Sequence, residues 1–119
     1  MTPNELLSNL HQFCGTESYY KLTPNILLTD GTKFLADEAG AYWLMDAIGS
    51  YLAGFKARES FISATLTVKD NGARLILDNG NGLVLGMQKI EFTDFPLMEI
   101  KLYALWDGQY WVIFLPGEY

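Results

Sequence analysis

With 119 residues, half of them hydrophobic and only 18% charged, the chain is long enough to close one core and too apolar to be a disordered tract. Eight basic against fourteen acidic residues give a net charge of −6, shared evenly: four basic and seven acidic groups in residues 1–60, and the same in 61–119. With no basic face or tail to neutralise phosphates, nucleic acid is not an expected partner. No apolar run approaches the roughly 20 residues that cross a bilayer, so no membrane association is expected.

Thr2-Pro3-Asn4-Glu5 reads as a helix start, with Thr2 as N-cap, Pro3 in the first turn and Glu5 completing a capping box. Leu6, Leu10 and Phe13 follow at helical spacing and Gly15 stops the run, which predicts a first helix over about 3–14. A polar stretch leads to Pro24 and to Ile26-Leu27-Leu28, which is either a strand or an extended link. Thr29-Asp30-Gly31-Thr32 is a turn able to cap a short helix over 33–39, with Asp30 expected as the capping oxygen. After Gly40 a stronger helix runs over about 41–54, where Leu44, Ile48, Tyr51, Leu52 and Phe55 form one apolar stripe.

Beyond Glu59 the period changes to two. Ile62, Ala64, Leu66 and Val68 alternate with Ser63, Thr65, Thr67 and Lys69, the signature of a strand with one wet face. Asp70-Asn71-Gly72 is a hairpin turn, and Asn79-Gly80-Asn81-Gly82 and Asp107-Gly108 are further turns. They separate strands expected over 74–78, 83–92, 98–106 and 110–115. The expected architecture is a single α+β domain, 1–119, with N-terminal helices on one face of a five-stranded antiparallel meander and Leu44, Ile48, Leu52, Leu66, Val68, Ile100 and Leu102 in its core.

Chemistry-bearing residues are sparse. Lone His11 and lone Cys14 fall short of the three or four ligands a zinc site needs, so no metal and no cofactor are expected. One cysteine excludes an intramolecular disulfide; Cys14 reads as a small buried residue and His11 as a surface one. No N-terminal stretch joins basic residues to a long apolar run, and the expected location is the cytoplasm. The glycine-rich turn of residues 79–82 lies between strands, whereas phosphate loops precede a helix. Asp30, Asp37, Glu38 and Asp46 gather around Tyr42 and Trp43 in sequence; such carboxylates serve as acid and base when burial separates their pKa values, and as caps and solvated surface otherwise.

The stretch Leu28-Thr29-Asp30-Gly31, continued by Ala39-Gly40-Ala41-Tyr42-Trp43-Leu44 and Asp46, together with Trp111 to Leu115 and Pro116-Gly117-Glu118-Tyr119, resembles a family of small bacterial proteins known only as a domain of unknown function. The likeness spans nearly the whole chain. It implies a bacterial protein from an accessory gene of chromosomes or mobile elements, in a regulatory or defence-related binding role, and carries no catalytic assignment onto any residue here.

Two functions follow as expectations. One is a non-catalytic interaction module with a protein partner; the other is a small enzyme or ligand binder built on Asp30, Asp37, Glu38 and Asp46 beside Tyr42 and Trp43, which requires those carboxylates to converge in a cleft. The final strand is apolar on both faces, and Tyr103, Leu105, Trp111 and Ile113 are the expected interface of a two-fold homodimer.

Overall fold

The computed structural model describes residues 1–55 and 58–119. Among these residues three α-helices, α1 (Pro3–Leu10), α2 (Asp30–Glu38) and α3 (Tyr42–Leu52), pack on one seven-stranded sheet. Its strands are β1 (Tyr20–Thr23), β2 (Ile26–Leu28), β3 (Phe61–Lys69), β4 (Gly72–Asp78), β5 (Val84–Ile90), β6 (Glu99–Trp106) and β7 (Trp111–Phe114), followed by a 3₁₀ turn, Pro116–Glu118. The α+β class is as the sequence indicates, but the five-stranded meander is not.

The spatial order is β1-β2-β7-β6-β3-β4-β5. The five expected strands pair antiparallel with one another. They do not run in chain order, because β6 returns beside β3 and leaves β5 at the edge. Phe95 and Leu97, both buried, anchor the β5–β6 connection in the core, where Phe95 meets Trp43 edge-on at 6.4 Å. The run Ile26–Leu28 is a strand, parallel to β7 through Ile26↔Trp111 and Leu28↔Ile113, and it makes the sheet mixed.

Local chemistry sets the element boundaries. Thr2 and Glu5 form the expected capping box of α1, which ends at Leu10. Phe13 leaves the helix to pack against Phe34 of α2, ring centres 5.4 Å apart. In α2 the cap is Thr29, not Asp30: Thr29 Oγ1 accepts from the Thr32 amide while Thr32 Oγ1 accepts from the Thr29 amide. Gly40 stops α2 at φ +58°, and the Ala41 amide reaches back to the Ala36 carbonyl, closing the helix with a left-handed glycine. Asp70 and Asn71, at φ 54° and 64°, form the β3–β4 hairpin turn.

The core lies between the helices and one sheet face. Leu35, Leu44, Met45, Ile48 and Leu52 meet Ile62, Leu66, Leu75, Leu77, Leu102 and Ile113, all at most 1% exposed. Of the expected core residues, Val68 alone is half-buried. Ser63, expected on the wet face, is buried where Tyr103 stands opposite it in register. Cys14 is exposed, contrary to expectation.

One polar junction ties the helices to the end of the sheet. The Glu118 carboxylate accepts from the Thr29 hydroxyl at 2.7 Å, from the Gly31 amide at 3.1 Å and from the Leu115 amide at 2.9 Å. Thr32, fully buried, donates its hydroxyl to the Ile113 carbonyl at 2.8 Å. Acidic oxygens at a helix N-terminus satisfy free amides and complement the helix dipole. Gly31 is required by closeness: a Cβ there would lie 2.5 Å from Leu115 Cδ1 and 2.7 Å from Glu118 Oε1.

Ile48→Ala is expected to cost about 2–5 kcal/mol in urea denaturation, and a loss below about 1 kcal/mol would place Ile48 outside the core. Glu118→Ala strands three donors and is expected to cost about 1–3 kcal/mol. Gly31→Ala, by overpacking the same junction, is expected to cost a similar amount, about 1–3 kcal/mol.

Candidate functional site

The carboxylates singled out in the sequence do not share a cleft. Asp30, in the first turn of α2, accepts from the Glu17 amide at 2.9 Å and the Tyr20 hydroxyl at 3.0 Å, while its own amide donates to Thr16 Oγ1 at 2.8 Å. It therefore tethers residues 16–20 and does not cap the turn before Lys33. Asp37, near the other end of α2, accepts from Lys33 Nζ at 2.7 Å and from the Tyr42 hydroxyl at 2.6 Å. Lys33 Nζ lies 5.6 Å from the centre of the Tyr20 ring and 5.9 Å from that of Tyr42.

The arrangement is an exposed strip of alternating charge along α2. The hydrogen bond from Lys33 holds the Asp37 carboxyl below the usual carboxylate range, and its counterpart from Asp37 raises the Lys33 ammonium above its own. Both shifts fix these groups as ions, the opposite of a poised acid or base. Glu38 is exposed, and Trp43 is half-buried against Phe95. Asp46 lies apart, at a hollow of about 330 Å³ shared with Thr23, Asn25, Ser50 and Trp111. Among the described residues no group of three or more His, Cys, Asp or Glu is placed to hold a metal ion, and no helix is long and apolar enough to cross a membrane.

The expected interface residues divide between the two faces of the sheet. Trp111 (1% exposed) and Ile113 (0%) lie in the core beneath the helices. Tyr103 and Leu105 lie on the opposite face, where register places them beside Phe114 and Val112. Helices cover the Trp111 face, so Trp111 and Ile113 offer no contact surface. Among the described residues no helix covers the other face.

On that open face the chain end folds back. Tyr119 packs against Phe61, Tyr103 and Phe114 with ring centres 5.5–6.0 Å apart. Beside this aromatic cluster is a cleft of about 490 Å³ formed by Leu27, Leu105, Val112 and Phe114, with Thr16, Tyr19, Thr29, Asp107, Glu118 and Tyr119 around them. Every part of its position traces to contacts already described: β2 supplies Leu27, the β6–β7 hairpin supplies Leu105 and Val112, Asp30 holds the segment carrying Thr16 and Tyr19, and Glu118 fixes the turn before Tyr119. Sequence reasoning missed Leu27, Val112, Phe114 and Tyr119 as site residues. The apolar character of both faces of β7 was the available signal.

The same face carries charge at its far end. Arg74 pairs with Lys89 and Thr65 with Lys101, so these cations, all exposed, reach one surface from three strands, with Glu99 and Glu91 among them. The sequence contains no basic run, yet strand pairing assembles a mixed-charge surface.

The Asp30 tether gives a pH dependence. The Glu17 amide holds the Asp30 carboxyl below the usual carboxylate range. A depressed folded pKa means the tether is complete above the unfolded value and is lost as pH falls through the folded one. In an NMR titration the Glu17 amide is expected to shift with an acidic midpoint below that of an ordinary aspartate, and Asp30→Asn should abolish that transition. A Glu17 amide indifferent to acid would contradict the tether.

A structural relative is the crystal structure of a protein of unknown function from Enterococcus faecalis, 15% identical, matching 86% of this chain and 98% of that one with a TM-score of 0.57. At that identity the likeness shows the fold alone. No curated protein matches the chain. Residues 4–119 match a family of unknown function, DUF6876. The segments that signal the resemblance in the sequence, Leu28 to Gly31 and Pro116 to Tyr119, are those that meet at the Glu118 junction and border the open cleft, and by that match the chain belongs to the DUF6876 family.

Proposed function

We propose that the protein is a non-catalytic binding module that receives an apolar segment of a protein partner, flanked by positive charge, in the cleft on the open sheet face. The carrying observation is the composition of that cleft. Leu27, Leu105, Val112 and Phe114 present apolar surface, Tyr19 and Tyr119 supply exposed rings, and the charged residues at its border, Asp107 and Glu118, are both acidic. Glu118 is held in its junction with α2, whereas Asp107 uses only one carboxylate oxygen for local amides; an apolar floor with that acid at its border favours an inserted Leu, Phe or Trp with Lys or Arg beside it. A regulatory role on mobile elements or in defence would act through such a partner.

The alternative, an enzyme built on Asp30, Asp37, Glu38 and Asp46, lacks the shared cleft it requires. Asp30 and Asp37 are committed to local hydrogen bonds, and Asp46 borders a different hollow.

Selection from a random peptide library on the immobilised protein tests the proposal. The expected peptides carry a large apolar residue next to Lys or Arg. Burying one such side chain contributes about 1.5–3 kcal/mol, so Leu105→Lys should weaken binding at least about tenfold. Tyr19→Ala, at an exposed wall position, should weaken it with no change in the thermal unfolding curve. Peptides without that preference, or with affinity unmoved by both substitutions, would overturn the reading.

A further inference from the structure

We infer that the hollow between α3 and the β1–β2 pair binds a small amine, one with an oxygen acceptor at one end, an apolar body and an ammonium at the other end. The hollow lies on the helix side of the sheet, apart from the open-face cleft, and the inference does not rest on the function proposed for that cleft. Its volume of about 330 Å³ falls within the range of small-ligand pockets, about 300–1,000 Å³.

A buried donor marks the site. Among the described residues, Trp111 Nε1 is the one buried side-chain nitrogen or oxygen without a hydrogen-bond partner. Trp111 is 1% exposed and lines this hollow. Its neighbours within the sheet are Trp106, with ring centres 5.7 Å apart, and Ile26, in register on β2; neither side chain supplies an acceptor. Thr23, Asn25, Asp46 and Ser50 carry oxygens around the same hollow, and none reaches the indole. A buried N–H left unpaired carries a desolvation cost that an incoming oxygen removes.

Two backbone features shape the space. Gly49 lets α3 approach β2, since a Cβ there would lie 2.8 Å from Ile26 Cδ1. Leu22 is the bulged residue of β1, because the register passes from Lys21↔Leu27 to Thr23↔Ile26 and leaves it without a partner. Trp111 Nε1 is closed to solvent, so an acceptor reaches it when a wall residue gives way. Leu22, half-buried on an edge strand and outside the register, is placed to do so.

The lining then specifies the ligand. Leu22, Ile26 and Trp111 offer apolar surface to its body, and the indole N–H takes its oxygen. Asp46, exposed at the mouth and in no ion pair among the described residues, takes its ammonium. None of the described lining residues is basic, so nothing there favours an anion.

The test is an NMR titration of the isotope-labelled full chain with three probes: tyramine, phenethylamine, which lacks its hydroxyl, and tyrosol, which has a hydroxyl in place of the ammonium. Tyramine should move the Trp111 indole N–H resonance and bind about two- to tenfold tighter than phenethylamine, the range of one neutral hydrogen bond. In Trp111→Phe that preference should vanish. Asp46→Asn, at an exposed position, should weaken both amines about two- to fivefold, the range of an exposed ion pair, and leave tyrosol unchanged. Asp107→Asn, at the border of the open cleft, should alter none of these affinities. If Trp111→Phe does not fold, the three probes on the intact chain and on Asp46→Asn decide the matter. A Trp111 indole unmoved by millimolar tyramine, equal affinity for tyramine and phenethylamine, or amine binding that follows Asp107→Asn and not Asp46→Asn would each overturn the proposal.

Discussion

The carboxylate of Glu118 is the point on which the two halves of the molecule depend. It sits at the N-terminus of α2, where it takes the Thr29 hydroxyl and the Gly31 amide, and it also accepts from Leu115 in its own turn. Its partners in α2 are 87 and 89 residues away in the chain. Around it Thr29 and Thr32 satisfy one another, and Thr32 passes its remaining donor to β7. A buried polar network stabilises when every member is satisfied and is costly when one is removed. This network satisfies helix amides, a strand carbonyl and a terminal turn together.

That junction also determines what the open face looks like. With Glu118 in place, the turn brings Tyr119 over Phe61, Tyr103 and Phe114, and half of the face becomes an aromatic surface. The remaining half keeps the polar and charged side chains that alternation along β3 and β4 would predict. One sheet face is therefore apolar at the end near β2 and charged at the end near β5.

Elements governed by local chemistry were legible in the sequence. The Thr2–Glu5 box, the stripe of α3, the Asp70-Asn71 turn and the alternation of β3 each depend on neighbours within a few residues, and each is where its pattern predicts. The strand order was not. β7 is apolar on both faces because it is an interior strand, one face under helices and the other beside the cleft, whereas in isolation the same pattern reads as a surface waiting for a partner. The short run Ile26–Leu28 shows no alternation for the same reason. Thr29 and Asp30 both suit a helix cap, and only the distant Glu118 and the segment at Thr16 separate their roles. The cleft draws residues from β2, β6, β7 and the terminal turn, so no window of sequence contains it.

The insertion of β7 between β2 and β6 has a kinetic consequence. Helices, the β3–β4 hairpin and the β4–β5 hairpin need only local closure, but β2 gains its inner neighbour when a strand from the far end of the chain slots in parallel to it. Loop-closure entropy must be met before that contact forms, and such non-local pairing places mixed sheets toward the slower range of folding times. Until then Ile26, Leu28 and the underside of α2 lack the Trp111 and Ile113 surface that buries them. Closure of the core around Ile26 and Leu28 is thereby tied to the arrival of the last strand, the contact of longest sequence separation in the sheet.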